Sequence, residues 1–195
     1  MKTRLSLMAA ALLLGACSLA PTVPPRTVYD LGPAPATAGS GGSLAWRIAD
    51  VTAPPWLAGD GIAYRLAFQQ AQRLEQYRDS FWAAPPAALL TQRLRERLAA
   101  SPTPPACEGR PAALVAVDLD RFEQVFTGPS SSQAVLRLHA TLWPAGASGP
   151  ILQQHWHLER TAATPDAPGA VRALAQAVDE VLPQLADWLV ASACR

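Results

Sequence analysis

A chain of 195 residues with 16 lysines and arginines against 15 aspartates and glutamates carries a net charge of +1, which gives no electrostatic reason to bind nucleic acid. Its length suffices for one core of ordinary size, and no internal repeat recurs at a solenoid or propeller period. The 19 prolines cluster around residues 21–35, 54–55, 102–111 and 165–168, outside the apolar periodic segments, so they mark linkers and loops rather than general disorder.

The N-terminus has the architecture of a secretory signal. Basic Lys2 and Arg4 precede an apolar run from Leu5 to Leu14 that is far shorter than the roughly 20 residues of a spanning helix, and Leu14-Gly15-Ala16-Cys17 closes it with small residues before a cysteine. This reads as a bacterial lipoprotein signal over residues 1–16, with acylated Cys17 as the first mature residue. An ordinary signal with a chance cysteine, or the start of a membrane anchor, is the competing reading. At about 0.8 kcal/mol per buried methylene, several acyl chains on Cys17 hold a protein on a membrane almost permanently. Residue 18 is serine rather than aspartate, and the Gram-negative sorting rule then directs the protein to the outer membrane, facing the periplasm.

Residues 17–43 read as the lipidated cysteine, a Pro/Gly-rich tether and a short extended piece at Thr27–Leu31; residues 44–195 read as a single domain. Leu44, Trp46 and Ile48 alternate with Ala45, Arg47 and Ala49, the period of a half-buried strand. Pro54 to Gly61 is a loop carrying Trp56, and further strands are expected at Ile62–Phe68 and Arg73–Trp82. Pro85-Pro86 opens a helix with Leu90, Leu94 and Leu98 on one stripe, stopped at Ser101-Pro102. Three extended segments follow, Ala113–Phe126, Ala134–Trp143 and Ile151–Thr161. The last two flank a Pro144–Gly149 turn and pair as a hairpin in a register that buries Leu136, Leu138, Leu142, Leu152, Trp156 and Leu158 together. Val171, Leu174, Val178, Val181, Leu185 and Leu189 define a final helix from about Pro168 to Ala193, with Asp166 as its cap and Pro183 as a kink or break. This order predicts an α+β fold, a largely antiparallel sheet with two main helices packed against it.

Little in the sequence resembles a catalytic engine. His155 and His157 share a strand face, and the hairpin register brings His139 opposite His155, but Arg137, Gln153 and Glu159 lie on the same side, as on a solvated sheet face. Asp118 and Asp120 also share a face, and with Arg121 and Glu123 they read as a charged strand facing solvent. Ser130–Ser132 lie in a Gly-Pro-Ser turn without a Gly-x-Ser-x-Gly elbow, and no phosphate-binding glycine loop is present. Six tryptophans remain. Trp46, Trp82 and Trp156 fall in the core pattern. Trp56, with Leu57, sits on a proline-stiffened loop that either anchors a protein partner or a lipid or folds back onto the body.

Tyr29-Asp30-Leu31-Gly32, Val51 to Leu57 followed by Ile62 to Leu66, Tyr77 to Pro86 and Phe122-x-x-Val125-Phe126, in this order behind a lipobox, resemble the ABC-type transport auxiliary lipoproteins. The resemblance implies a non-enzymatic accessory of a mammalian-cell-entry type system, in which an inner-membrane ABC transporter and a periplasmic lipid-binding protein move hydrophobic molecules between envelope membranes. It implies docking of that periplasmic protein at the outer membrane, with a homo-oligomeric ring as one arrangement. No cofactor is expected beyond the covalent lipid on Cys17. A lipoprotein that itself carries lipid through the periplasm is the alternative.

After the anchor, Cys107 and Cys194 remain, an even pair that an oxidising periplasm converts most simply to a disulfide; two unrelated thiols are the other reading. The closed loop approaches 90 residues, for which chain entropy suggests about 4–5 kcal/mol of stabilisation. Alkylation of the denatured protein is expected to label no thiol at either position until reductant is added; labelling of both before reduction refutes the bridge.

Overall fold

The computed structural model describes residues 25–35, 46–99, 111–143 and 152–192. Along them run β1 (Thr27–Tyr29), β2 (Trp46–Ile48), a 3-10 turn (Pro55–Leu57), β3 (Gly61–Leu66), a short helix α1 (Ala67–Gln70) and β4 (Glu75–Trp82). There follow α2 (Pro86–Ala99), β5 (Ala113–Gly128), β6 (Ser131–Trp143), β7 (Leu152–Thr161) and α3 (Ala167–Ser192). The expected α+β class is observed, although β3 ends before Phe68, which falls in α1, and Ser131 and Ser132 open β6 rather than lying in a turn.

The sheet is mixed, which corrects the expectation of a largely antiparallel one. Among the described residues it has seven strands in the order β1-β4-β3-β5-β6-β7, with β2 also on β5. The β1–β4, β2–β5 and β3–β5 pairs are parallel; β3–β4, β5–β6 and β6–β7 are antiparallel. The connections explain this. β4 turns straight back beside β3, whereas α2 intervenes before β5, so the chain can enter along the other edge of β3 running the same way. Antiparallel reading from sequence holds for the β3–β4 pair and the β5–β6–β7 meander.

Both long helices cover one face of that sheet. Val115, Val117, Leu119 and Phe122 of β5, Leu136, Leu138 and Leu142 of β6, and Trp156 and Leu158 of β7 are buried with Leu90, Leu94 and Leu98 of α2 and Leu174, Val178, Val181, Leu185 and Leu189 of α3 in one cluster. Each such side chain contributes roughly 1.5–3 kcal/mol on leaving water. The hairpin register is the expected one, with Leu136 opposite Leu158, Leu138 opposite Trp156 and Leu142 opposite Leu152; its turn, residues 144–149, lies outside the described residues. Trp46, Trp82 and Trp156 are buried as expected, Trp82 with its ring 5.4 Å from that of Phe122.

The body takes in residues upstream of 44. β1 forms the sheet edge beside β4, and Leu31 enters the core. Buried Arg93 of α2 holds that segment in place, donating to the Leu31 carbonyl at 2.9 Å and pairing with Asp179 of α3 at 3.4 Å. Next to it Gly32 has φ +69°, a conformation that a Cβ would strain.

Helix α3 begins as its sequence suggests, with the Gly169 amide donating to the Asp166 carboxylate at 2.8 Å. The break expected at Pro183 does not occur. The helix continues through it, because buried Leu182, Leu185 and Leu189 on its core stripe hold both halves on the sheet. The Thr164 hydroxyl, donating to Asp166 at 2.6 Å, together with the Gly169 amide holds the Asp166 carboxyl below the usual carboxylate range. A carboxyl so depressed stabilises the fold above its unfolded pKa, and that contribution is lost as pH falls through the folded value. Asp166→Ala is therefore expected to cost about 1 kcal/mol in urea unfolding at neutral pH, with the gap to the wild type narrowing toward about pH 3; a gap that stays constant contradicts the cap.

Candidate functional site

The edge of β5 away from β6 is shared by three successive partners, and this sharing creates the molecule's most exposed aromatic. β2 pairs at Ala113–Val115, Thr52 bridges at Asp118, and β3 takes over at Gln124–Phe126. At the bridge the Thr52 amide donates to the Val117 carbonyl at 3.0 Å and the Leu119 amide to the Thr52 carbonyl at 2.8 Å. The next bond of a parallel ladder falls to the amide of residue 54, which is proline and has none. The chain leaves the sheet there as a 3-10 turn, and opposite the gap β5 is irregular between Leu119 and Arg121. Leu57 is 4% exposed and pins the turn to the body; Trp56 is 59% exposed. The two residues singled out together thus have opposite roles.

Trp56 overlooks a concavity of about 460 Å3 bordered by Arg65, Leu74, Asp120, Arg121 and Glu123. Glu123 is 4% exposed, not solvent-facing as expected: the irregularity at Asp120 sets it on the open face beside Arg121, and there Arg65 and Arg121 close over its carboxylate. Its carboxylate accepts from Arg65 at 3.2 Å and from Arg121 at 2.8 Å, so one buried charge is held between two guanidiniums. On the other side of the strand the Tyr77 hydroxyl donates to Gln124 Oε1 at 2.6 Å, and the Gln124 amide donates to Ser132 Oγ at 2.7 Å. Burial, reinforced by the Asp166 charge, pushes the Tyr77 hydroxyl pKa far above the ordinary range, so it acts as a donor.

The sheet face opposite the helices carries the remaining polar residues in rows across β5, β6 and β7. Asp118, His139 and His155 form one row, with the two imidazoles stacked at 5.2 Å, and Arg121, Arg137 and His157 form the next. The expected pairing of His139 with His155 is observed. His139 Nε2 lies 3.2 Å from Asp118 and its Nδ1 3.3 Å from Asp120, while His157 turns to Glu159 at 3.3 Å. The two nitrogens of His139 therefore face different carboxylates on opposite sides of the ring, and the donors do not converge on one point. Among the described residues no group of three or more His, Cys, Asp or Glu is arranged to hold a metal ion.

On the same face, Leu114 and Trp143 oppose one another where β5 begins, both partly exposed. The sequence carried the signal. Core positions of β6 run Leu136, Leu138, Leu142, so odd-numbered Trp143 must look the other way, as must Leu114 between buried Ala113 and Val115. Cys17, Cys107 and Cys194 lie outside the described residues. Among those residues no helix is long and apolar enough to cross a membrane.

Solved structures share this fold. The crystal structure of a Xanthomonas campestris protein of the DUF330 family matches at 20% identity and a TM-score of 0.64, covering 85% of this chain and 95% of that one. A second, titled only as an uncharacterized protein, matches at 20% identity and 0.62, covering 85% and 99%. No curated protein matches the chain. The family model for the ABC-type transport auxiliary lipoprotein component matches residues 29–186, and the chain belongs to that family.

Removing the buried carboxylate leaves two guanidiniums facing each other without a counter-charge. Glu123→Ala is expected to lower stability by about 1–3 kcal/mol, and the Arg65→Ala, Glu123→Ala double variant to lose less than the sum of the two singles. Additive losses in urea unfolding would show that the network is not coupled.

Proposed function

We propose that this protein is a non-catalytic lipoprotein of the outer membrane, held there by acylated Cys17, that docks the periplasmic part of a mammalian-cell-entry type ABC lipid transport system. Membership of the auxiliary lipoprotein family over residues 29–186 is the observation that carries this reading. The packing of the body supports a docking role over a cargo role. The space between helices and sheet is filled by leucine, valine and tryptophan. The concavity between α2 and α3, lined by Arg93, Glu96, Asp179 and Leu182, holds about 200 Å3, below the roughly 300 Å3 at which small-molecule sites begin, and the wider one beside Trp56 is bordered by the charged side chains of Arg65, Asp120, Arg121 and Glu123. Acyl chains have no ready place in such an interior.

The surface we assign to the periplasmic partner is the open sheet face near Leu114 and Trp143. A partly exposed tryptophan backed by a leucine, rimmed by Arg47 and Gln153, has the composition of an interface anchor within a polar rim. In this reading residues 1–16 are removed, residues 17–43 join the lipid to the body, no cofactor is needed, and assembly of several copies around the partner is compatible with the open face.

The test is affinity purification of the lipidated full chain from solubilised envelopes. A protein with a mammalian-cell-entry domain is expected to accompany it, and Trp143→Ala to weaken that association about tenfold. Recovery with outer-membrane assembly factors alone contradicts the proposal. A soluble Cys17→Ser form that holds stoichiometric phospholipid in native mass spectrometry favours the carrier reading instead.

A further inference from the structure

We propose that the corner of the open sheet face formed by Trp56, Val28, Phe81 and Arg26 rests on the phospholipid bilayer, with the Trp56 indole at headgroup level. This rests on the lipoprotein reading of Cys17 and adds an orientation to it. The described body starts at Pro25, so eight peptide units join its first residue to Cys17, and at 3.3–3.6 Å each they reach at most about 30 Å. A body of this size has a radius of gyration of about 15 Å and is about 40 Å across. The leash is thus shorter than the body, and the side on which the chain enters must be turned toward the membrane that holds the lipid.

Arg26 marks that side. Its guanidinium lies 3.9 Å over the Phe81 ring and pairs with Asp60, the last residue of the loop that begins at Pro54 and carries Trp56. Four peptide units join Trp56 to Asp60, so their Cα atoms are at most about 15 Å apart. Val28 lies directly opposite Phe81 in the β1–β4 register, on the same face, and is 55% exposed. Trp56 borders its concavity with Arg65, Arg121 and Glu123 on that same open face. The chain's exit point and two of its most exposed apolar side chains are therefore held together by an ion pair and a stacked guanidinium. The other apolar pair, Leu114 with Trp143, lies at the start of β5, beyond the Asp118 and His139 row and away from the middle of the strand that Trp56 borders.

The chemistry fits a lipid surface. An indole presents an apolar body and one N–H donor, and such a side chain is most stable between acyl chains and water. The turn beneath it is stiffened by Pro54 and Pro55 and pinned by buried Leu57, so insertion loses little conformational entropy.

The experiment uses the lipidated full chain in phosphatidylethanolamine and phosphatidylglycerol vesicles containing acyl-brominated phospholipid, which quenches tryptophan only on contact with the bilayer. Trp56→Phe is expected to remove most of the quenching seen in the wild type, and Trp143→Phe to leave it unchanged. Flotation is read on the same samples, with Cys17→Ser as the unanchored control. Wild-type protein that floats while Trp56→Phe leaves quenching intact, or while Trp143→Phe removes it, overturns the orientation and leaves the anchor standing. Wild-type protein that floats no better than Cys17→Ser overturns the lipoprotein reading and the orientation with it.

Discussion

One strand edge governs this molecule. The 16 residues of β5 must satisfy hydrogen-bonding groups on both sides, and on the side away from β6 no single strand is long enough to do it. β2, Thr52 and β3 divide the edge between them. All three belong to one stretch of chain running parallel to β5, interrupted where Pro54 and Pro55 cannot donate. The interruption has two consequences that stand opposite one another. Trp56 is pushed out into solvent on a pinned turn, and β5 shifts its alternation so that Glu123 comes to the open face, where two arginines cover it. The local failure of a ladder thus makes both the exposed loop and the charge network beneath it.

The second organising fact is that, among the described residues, helices cover one face of the sheet and leave the other open. Apolar residues of β5, β6 and β7 meet α2 and α3 and leave a filled interior, while the polar residues that might have been read as chemistry are spread in rows over the other face. There the histidines and carboxylates pair with one another. The outer edge of β7 is also blunted: the Gln154 side chain donates to the His155 carbonyl at 3.3 Å and Arg160 to the Glu159 carbonyl at 2.6 Å. A body with a closed core, an open polar face and a guarded edge is suited to contact through side chains rather than through added strands or enclosed cargo, in keeping with an auxiliary component of a transport system.

The helices, the three long strands and the hairpin register were legible because their hydrophobic spacing repeats over many residues, and a one-residue slip would expose every leucine of the β5–β6–β7 core. The Asp166 cap was legible for a similar reason, since a carboxylate before an apolar stripe has few other uses. What failed was local and depended on distant partners. Parallel pairing of β1 and β3 cannot be read from their own residues, since nothing in a strand three to six residues long states which neighbour it will meet. Pro183 looks like a helix breaker in isolation, but the core stripe on both sides of it outweighs the lost hydrogen bond. Glu123 looks exposed because nothing in β5 itself announces Arg65, which arrives from β3 and, with Arg121, covers its carboxylate.

By itself the sequence determined the class of fold, the buried stripe of each long element, the signal-like N-terminus and the absence of familiar catalytic motifs, because composition and periodicity are properties of neighbouring residues. It also marked Trp56 and Leu57 as a pair on a proline-rich loop. Only the tertiary structure decided that Leu57 goes in and Trp56 goes out, that Arg26 is tied to the same loop through Asp60, and that Leu114 and Trp143 meet on the open face. Those outcomes depend on which strands share an edge, and that is fixed by the energy of the whole sheet rather than by any segment of it.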